Sequence, residues 1–276
     1  MAKVISFLNY KGGVGKSTST VNVAKALHDL GNKVLVIDTD SQANSSKLMG
    51  KRSSEGNDKT LYEAMVHGVS IEECIFMDQD KEDSFDFVPS NQNLIRAELE
   101  LVSKIGRESV LRKVIQPIRG EYDYILIDCT PADGLISQNA ITASDYIIVP
   151  LNGEPFAVDG MGKIIQRYRE VKENINENLQ ILGYVFTLTR KCKLHDATKA
   201  MLKEQREKNG WPGDIFNSEI KQNVRLAETA AFYTNIFDYE KTFNKKDFTQ
   251  LSKWESAHSA AEQYRELAQE IIDKTK

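Results

Sequence analysis

A glycine-rich segment between a strand pattern and a helix pattern constrains the fold of this chain more than any other feature. Residues 3–8 (KVISFL) form a short apolar run that predicts a buried β-strand. Residues 17–30 carry apolar side chains at helical spacing and predict an α-helix, which Gly31 would end. Residues 33–38 (KVLVID) predict a second strand. Strand, loop, helix and strand form a βαβ unit, whose strands pair in parallel through a right-handed crossover.

The alternation of strand and helix patterns continues through the rest of the chain. The further predicted strands are residues 85–88, 124–128, 146–150, 179–187 and 214–216, and the predicted helices are residues 61–66, 93–104, 137–143, 162–173, 196–208 and 247–273. Residues 41–58 are polar and predict a loop. Buried strands that alternate with helices are typical of a doubly wound α/β fold, a mostly parallel sheet flanked by helices. Because no linker separates two halves, we predict a single domain over residues 1–276.

Composition and charge narrow the environment of the protein. Hydrophobic residues make up 41% of the 276 residues and charged residues 28%, which suffices for a packed core. The net charge of -4 gives no overall attraction to nucleic acid or acidic membranes, so an anionic partner must be held by a local patch. Cys74, Cys129 and Cys192 have no metal-binding spacing. No apolar run approaches the ~18 residues that span a bilayer, and the start lacks a signal-peptide pattern, so we expect a cytoplasmic protein.

Residues 11–18 (KGGVGKST) have the composition of a phosphate-binding loop in the required strand-to-helix context. Glycines let backbone N–H groups turn toward phosphate oxygens, and the following helix adds the positive end of its dipole. Lys16 would place its charge near the β- and γ-phosphates, and the Ser17 hydroxyl could bind Mg²⁺. The predicted nucleotide-binding residues are Lys11, Gly12, Gly13, Val14, Gly15, Lys16, Ser17 and Thr18.

The loop departs from the usual pattern G-x-x-x-x-G-K-[ST] in an informative way. Tyr10 stands where that pattern has its first glycine, and Lys11 adds a second lysine inside the loop. The resulting KGGxGK[ST] form resembles the deviant Walker A motif of the ParA/MinD/Soj ATPases. The resemblance implies ATP and Mg²⁺ as cofactors and a homodimer that forms on ATP binding. It also implies that Lys11 reaches the partner's phosphates, and that Lys11, Lys16 and Asp40 are catalytic.

Three aspartates follow predicted strands. Asp38 and Asp40 lie at the end of the second strand and Asp128 ends the run ILID, so all three should meet at the carboxyl edge of a parallel sheet, where ligands bind. Residues 40–44 (DSQAN) match the end of the family pattern DxDxQxN, and the resemblance implies that Asp40 orients the attacking water. Asp128 is similar to a Walker B carboxylate, which binds Mg²⁺ through water. For Asp38, capping of the next turn is an open alternative. The predicted metal-binding residues are Ser17, Asp40 and Asp128.

The second half of the chain keeps some family features and departs from others. Residues 150–160 match the family run P-x-x-x-E-x-x-A-x-x-G, and residues 223–226 read NVRL. Lys221 replaces a proline that lines the adenine pocket in the family. Residues 187–225 contain nine basic and five acidic residues, a net +4 that suits contact with phosphates. The candidate DNA-binding residues are Arg190, Lys191, Lys193, Lys221 and Arg225.

The resemblance implies a DNA-segregation ATPase that is slow alone. It would dimerise on ATP, bind DNA non-specifically on the nucleoid, and hydrolyse ATP when a ParB-like centromere-binding protein stimulates it. A MinD-like membrane-associated regulator is the alternative, which the mixed charge of residues 260–276 disfavours. An iron–sulfur ATPase would need a cysteine soon after Asp128, and residues 133–137 (DGLIS) contain none. Residues 244–247 match the guanine motif NKxD but follow no predicted strand, so we interpret them as a chance match.

Overall fold

The structure is a computed structural model and describes residues 1–49, 59–76, 84–154, 157–158 and 160–276. The strands are β1 (Lys3–Phe7), β2 (Val34–Asp38), β3 (Asp86–Val88), β4 (Tyr124–Asp128), β5 (Tyr146–Asn152), β6 (Gln180–Thr189) and β7 (Asp214–Lys221). The α-helices are α1 (Lys16–Asp29), α2 (Asn44–Leu48), α3 (Leu94–Glu100), α4 (Val110–Ile115), α5 (Leu135–Ala143), α6 (Met161–Asn174), α7 (Lys193–Asn209), α8 (Val224–Ala231), α9 (Ile236–Lys241) and α10 (Leu251–Lys274).

The strands form one seven-stranded sheet in the order β3-β2-β4-β1-β5-β6-β7. Every neighbouring pair is parallel, which confirms the predicted doubly wound α/β fold. The order reverses at β1, the position at which open α/β sheets bind ligands beyond their carboxyl ends. The register brings the last residues of β1, β2 and β4 side by side, with Asp128 opposite both Phe7 and Asp38.

Each face of the sheet is covered by its own layer of helices. Side chains alternate along a strand, so Val4 packs into one core while Ile5 packs into the other. The first core contains buried residues of α3 to α7, such as Ile141 and Ile164. The second contains the apolar faces of α1, α9 and α10, including Leu267. Helix α10 therefore completes the protein interior on the α1 side.

The structure differs from the predicted elements where side-chain partners outweigh local pattern. Helix α2 lies within residues 41–58, which were predicted to be a loop, and residues 50–58 lie outside the described residues. Ser45 and Ser46 of α2 bond to buried aspartates, so tertiary contacts hold this short polar helix. Strand β7 continues five residues beyond the predicted Phe216. The pattern also missed α4, α8 and α9, which are all eight residues or shorter.

Truncation of a buried residue of α10 tests whether that helix is part of the core. Leu267 is fully buried, so Leu267→Ala should lower the free energy of unfolding by about 2–5 kcal/mol. The matched control is Leu99→Ala, whose side chain is 78% exposed and should change stability by less than about 0.5 kcal/mol. Urea denaturation followed by circular dichroism measures both. Equal effects of the two substitutions would contradict the assignment of α10 to the core.

Candidate functional site

The glycine-rich loop between β1 and α1 is held open by contacts with neighbouring strands. Asn9 Nδ2 donates to the Pro150 carbonyl at 2.8 Å, and Asn9 Oδ1 accepts from the Lys11 backbone N–H at 2.9 Å. Gly13 and Gly15 have φ of +73° and +76°, which L side chains rarely adopt. The loop therefore needs glycine at both positions to make its turns. This conformation lets its backbone N–H groups point toward the inside of the loop.

Thr187 of β6 holds the middle of the same loop. Its hydroxyl donates to the Val14 carbonyl at 2.8 Å and lies 3.2 Å from the Leu151 carbonyl. Because Thr187 binds the Val14 carbonyl from outside the loop, the inner side of the loop is left to backbone N–H groups. The contact of Thr187 with the glycine loop was not predicted, because nothing in the local pattern links β6 to a residue 173 positions away.

Lys16 begins α1 and points into the centre of the loop. Its ammonium group donates to the Lys11 carbonyl at 3.2 Å, and the residue is almost fully buried. Burial lowers the pKa of Lys16, and the nearby carboxylate of Asp128 partly offsets this effect. A buried lysine at the N-terminus of a helix is arranged to bind an anion.

Asp38 and Asp128 end adjacent strands and are both fully buried. Asp38 accepts hydrogen bonds from the Asp40 backbone N–H at 3.0 Å, and from the Ser46 backbone N–H and hydroxyl at 2.9 and 2.8 Å. Burial, together with the charge of Asp128, raises the pKa of Asp38 well above its ordinary value. The contacts with residues 40 and 46 fit the alternative that Asp38 caps the turn after β2.

Asp128 keeps an unused acceptor that suits a metal ion. Its Oδ2 accepts from the Ser45 hydroxyl at 2.7 Å, whereas its Oδ1 is buried without a hydrogen-bond partner. Burial raises the pKa of Asp128 to about 6, and the nearby Ser17 hydroxyl acts in the opposite direction. Because buried acceptors are rarely left unsatisfied, an oxygen-liganded cation or its water fits between Ser17 and Asp128. The donor set is therefore compatible with Mg²⁺.

A cavity of about 580 Å³ opens in front of this loop. Six of the eight predicted nucleotide-binding residues line it, whereas Val14 is buried and Lys11 lies outside the lining. Asp40 lines the cavity, and its Oδ1 accepts from the Gln42 backbone N–H at 2.9 Å. The six residues are Gly12, Gly13, Gly15, Lys16, Ser17 and Thr18, and the remaining lining is Asp40, Gln42, Asn44, Lys47, Leu48, Pro131, Ala230 and Tyr233.

A second cavity of about 520 Å³ adjoins the first at Gly15 and Thr18. Its lining includes apolar side chains of β7, α8 and α10, such as Ile220, Leu226 and Tyr264. One cavity lined by loop glycines and Lys16 beside another lined largely by apolar residues matches the two halves of a nucleotide, the phosphates and the base. Lys221, which was predicted to disturb the base pocket, is not among its lining residues.

Backbone strain is concentrated around the two cavities. Among the described residues, Ala43, Leu188 and Tyr233 are the non-glycine residues with positive φ, each at +52°. Leu188 lines the second, apolar cavity. Tyr233 lines the first, phosphate-facing cavity in front of the glycine loop, and Ala43 follows Gln42, which lines that same cavity. Such conformations cost about 1–3 kcal/mol each and cluster at functional sites. Their placement supports the assignment of both cavities to one site.

Lys11, which was predicted to reach the phosphates of a partner chain, lies outside the cavity of its own chain. Its ammonium group lies 2.6 Å from Glu154 Oε2, at the protein surface beyond β5. The hydrogen bond from Lys11 lowers the pKa of the Glu154 carboxyl. The structure therefore places the two loop lysines on opposite sides, with Lys16 inside and Lys11 available at the surface.

The five candidate DNA-binding residues differ in their location and in their contacts. Lys191 and Lys193 are exposed at the start of α7, and Lys221 is exposed at the end of β7. Arg190 is also exposed, but it lines the apolar cavity and its Nε donates to Gln222 Oε1. Arg190 thus lies at the mouth of the cavity.

Arg225 is engaged by an acidic neighbour. Its guanidinium group donates to Glu228 Oε1 and Oε2 at 2.7 and 2.5 Å. Glu228 also accepts from the Tyr239 hydroxyl at 2.8 Å. Lys191, Lys193 and Lys221 therefore carry the more accessible positive charge of the five.

Comparison with known proteins adds independent evidence. A family model described as an AAA domain matches residues 2–181. The sporulation initiation inhibitor protein Soj of Bacillus subtilis is 32% identical over 244 residues, which cover 87% of this chain and 92% of that protein. The chromosome-partitioning ATPase Soj of Treponema pallidum is 30% identical over 273 residues, which cover 99% and 98%.

Two solved structures extend the comparison to bound nucleotides. A putative plasmid partition protein of Borrelia burgdorferi, bound to AMPPNP, superposes with a TM-score of 0.76 at 25% identity, covering 99% of this chain and 100% of that one. Cobyrinic acid a,c-diamide synthase of Mycobacterium smegmatis, with bound ADP and magnesium, has a TM-score of 0.73 at 25% identity, covering 84% and 93%.

The contact between β6 and the glycine loop can be tested by a pair of identical substitutions. Thr187→Val removes the donor to the Val14 carbonyl, so it should lower stability by about 1 kcal/mol and weaken nucleotide binding. Thr142→Val is the control, because the Thr142 hydroxyl is buried without a partner and its removal should be neutral or stabilising. Thermal unfolding and calorimetric nucleotide titration measure both effects. A Thr187 variant that binds nucleotide like its parent would contradict the role of this contact.

Proposed function

We propose a function from the premise that this chain belongs to the ParA/Soj family of ATPases, as its identity to the two Soj proteins shows. The chain is thus a P-loop enzyme that hydrolyses ATP. The finer proposal is an ATPase that segregates DNA. It would dimerise on ATP, bind DNA without sequence preference on the nucleoid, and hydrolyse ATP faster when a ParB-like centromere-binding protein engages it. The observation that carries the proposal is the outward position of Lys11 beside a complete phosphate cavity.

The cavity residues divide the work of phosphoryl transfer. The backbone N–H groups between Gly12 and Thr18 bind the phosphates, and buried Lys16 neutralises their charge. Ser17 and Asp128 would hold Mg²⁺, which supplies further charge neutralisation when bound. Asp40 lines the same cavity and uses one oxygen on Gln42, which leaves the other to orient water. ATP and Mg²⁺ fit this donor set, as the AMPPNP and ADP–magnesium complexes of similar proteins suggest.

The surface position of Lys11 supports a role in a second subunit. In its own chain Lys11 pairs with Glu154, outside the cavity. A partner chain that presents its triphosphate to this surface would exchange that ion pair for a phosphate contact. Because nucleotide that also contacts a second chain is bound more tightly by the dimer than by the monomer, ATP would stabilise dimerisation by mass action. Lys11, Lys16 and Asp40 are the catalytic residues of this proposal.

DNA binding would use exposed basic residues near the carboxyl edge of the sheet. Lys191 and Lys193 precede and begin α7, and Lys221 ends β7. In a protein of net charge -4, a local basic patch gives weak, salt-sensitive contact with phosphates. Two copies in a dimer would double the contacts and raise the avidity. Arg190 and Arg225 would support this surface from the cavity side.

The arrangement of α10 favours DNA partitioning over a MinD-like membrane function. Membrane attachment by a terminal helix requires an exposed apolar face. Tyr264, Leu267 and Ile271 supply the apolar face of α10, and all are buried in the core. Among the described residues, no helix combines the length and apolarity that crossing a bilayer requires.

Mixing two inactive variants tests whether Lys11 acts in the partner subunit. Lys11→Ala should lower kcat by about 10³-fold or more, since charge-neutralising groups supplied by a partner contribute that much. Asp40→Ala should inactivate its own site, because it removes the carboxylate that orients the attacking water. In a mixed dimer, the site with intact Asp40 would receive Lys11 from the other chain, so activity should return when the two variants are combined. A phosphate-release assay over a series of mixing ratios measures this. Variants that remain inactive at every ratio would contradict action in trans.

Charge removal at the start of α7 tests the DNA surface. The double variant Lys191→Gln, Lys193→Gln should lower ATP-dependent DNA affinity about tenfold and reduce the slope of log K against log salt by roughly two. Lys208→Gln is the control, because Lys208 is exposed in the last turn of the same helix. Fluorescence anisotropy with unrelated duplexes at several salt concentrations measures affinity. If the control and the double variant behave alike, α7 is not the DNA surface.

A further inference from the structure

We infer that helix α3 ties together the two loops that line the phosphate-facing cavity, and that Glu98 is a positioning residue for hydrolysis. The inference rests on the proposed ATPase function of the cavity. The loop after β2 contributes Asp40, Gln42 and Asn44 to the lining, and the loop after β4 contributes Pro131. No described residue of α3 lines the cavity, so the helix would act only through these loops.

Glu98 attaches α3 to the loop after β4. Its Oε2 accepts from the Leu135 backbone N–H at 2.9 Å, and its Oε1 accepts from the Ile136 backbone N–H at 3.0 Å. These are the first two N–H groups of α5, which have no acceptor within their own helix. A carboxylate at a helix N-terminus is also favoured by the helix dipole, and bonds to a charged acceptor are stronger than neutral ones. One side chain therefore fixes where α5 begins.

Gly134 makes this attachment possible. A Cβ built on Gly134 would lie 2.5 Å from Glu98 Oε1 and 3.0 Å from Glu98 Cδ, closer than side-chain atoms can approach. Glycine is therefore required for the carboxylate to reach the N–H groups of α5, although its φ of -132° is open to any residue. The bonds from Glu98 to α5 hold the C-terminal end of the segment that begins at Asp128 and contains Pro131.

A hydrogen-bond relay attaches the other end of α3 to the loop after β2. The Ser46 hydroxyl donates to Asp38 Oδ2 at 2.8 Å and accepts from the Ser90 backbone N–H at 3.0 Å. Ser90 lies four residues before α3, and Ser46 belongs to α2. Both donor and acceptor capacity of this buried hydroxyl are used, so α2 and the segment leading to α3 are held together.

Strand pairing and the Ser45 bond fix Asp128 at the end of β4, and the two attachments then set the distance between Asp40 on one loop and Pro131 on the other. Hydrolysis depends on that distance, because water and phosphate must align within a fraction of an ångström. Nucleotide binding depends mainly on the glycine loop, which α3 does not contact through Glu98 or Ser90. Loss of the Glu98 contact should therefore lower kcat far more than nucleotide affinity.

Three variants separate this role from general stability. Glu98→Gln keeps one carbonyl acceptor but turns an amide NH₂ toward the second N–H group of α5. Gly134→Ala leaves Glu98 intact and displaces its carboxylate. Glu100→Gln is the control on the same helix, since Glu100 accepts from the Tyr62 hydroxyl at 2.9 Å. We expect the first two to lower kcat about 10- to 100-fold and the control to leave kcat unchanged.

The measurements are single-turnover ATP hydrolysis, calorimetric affinity for a non-hydrolysable analogue, and hydrogen exchange of the α5 amides by NMR. Affinity should change less than about threefold, and the amides of Leu135 and Ile136 should exchange faster in both test variants than in the control. Unchanged kcat and exchange in Glu98→Gln would overturn the inference, as would equal losses in Glu100→Gln. If the parent protein hydrolyses no ATP, the proposed function fails. In that case the exchange rates test only the attachment of Glu98 to α5, and unchanged exchange rates would overturn that attachment.

Discussion

Two buried carboxylates at the ends of adjacent parallel strands are the constraint on which the rest of the site depends. The register sets Asp38 beside Asp128, away from water, so burial raises the pKa of each, and the charge of Asp128 raises that of Asp38 further. The surrounding structure supplies donors to both, from the Ser45 and Ser46 hydroxyls and from backbone N–H groups. Helix α2 is only five residues long, and these bonds explain why it forms in a polar segment.

Two buried groups of the site lack full electrostatic compensation from the chain itself, and ATP with Mg²⁺ would supply it. Asp128 keeps a buried oxygen without a partner, and Lys16 carries a charge that burial disfavours. A cation beside Asp128 and an anion beside Lys16 would satisfy both groups at once. The strained residues around the cavities are consistent with a site whose geometry is fixed before its ligand arrives. Binding of ATP with Mg²⁺ would then stabilise the folded protein as well as start the reaction.

The positive charges of the chain are divided among separate tasks. Lys16 is buried in the lining of the cavity, while Lys11 forms a surface ion pair with Glu154 that solvent weakens. A surface pair is easily exchanged for a stronger contact, which suits the role in another subunit that we propose for Lys11. Lys191 and Lys193 are exposed and do not line the cavity, so the proposed contacts with DNA would not compete with nucleotide binding.

Short-range pattern in the sequence was sufficient for β1, the glycine loop, α1 and the aspartates after β2 and β4. Each of these depends on residues within a few positions of one another, so strand and helix periodicity and motif spacing predict them. The predicted direct pairing of β1 with β2 was wrong, because β4 lies between these two strands. The tertiary structure alone decided which distant residues meet: Thr187 with Val14, Ser46 with Ser90, and Glu98 with the start of α5. The same holds for Arg190, which was predicted to face DNA and lies at the apolar cavity through its bond to Gln222. No local pattern encodes these contacts, because each joins segments that only the packing of the sheet and its helices brings together.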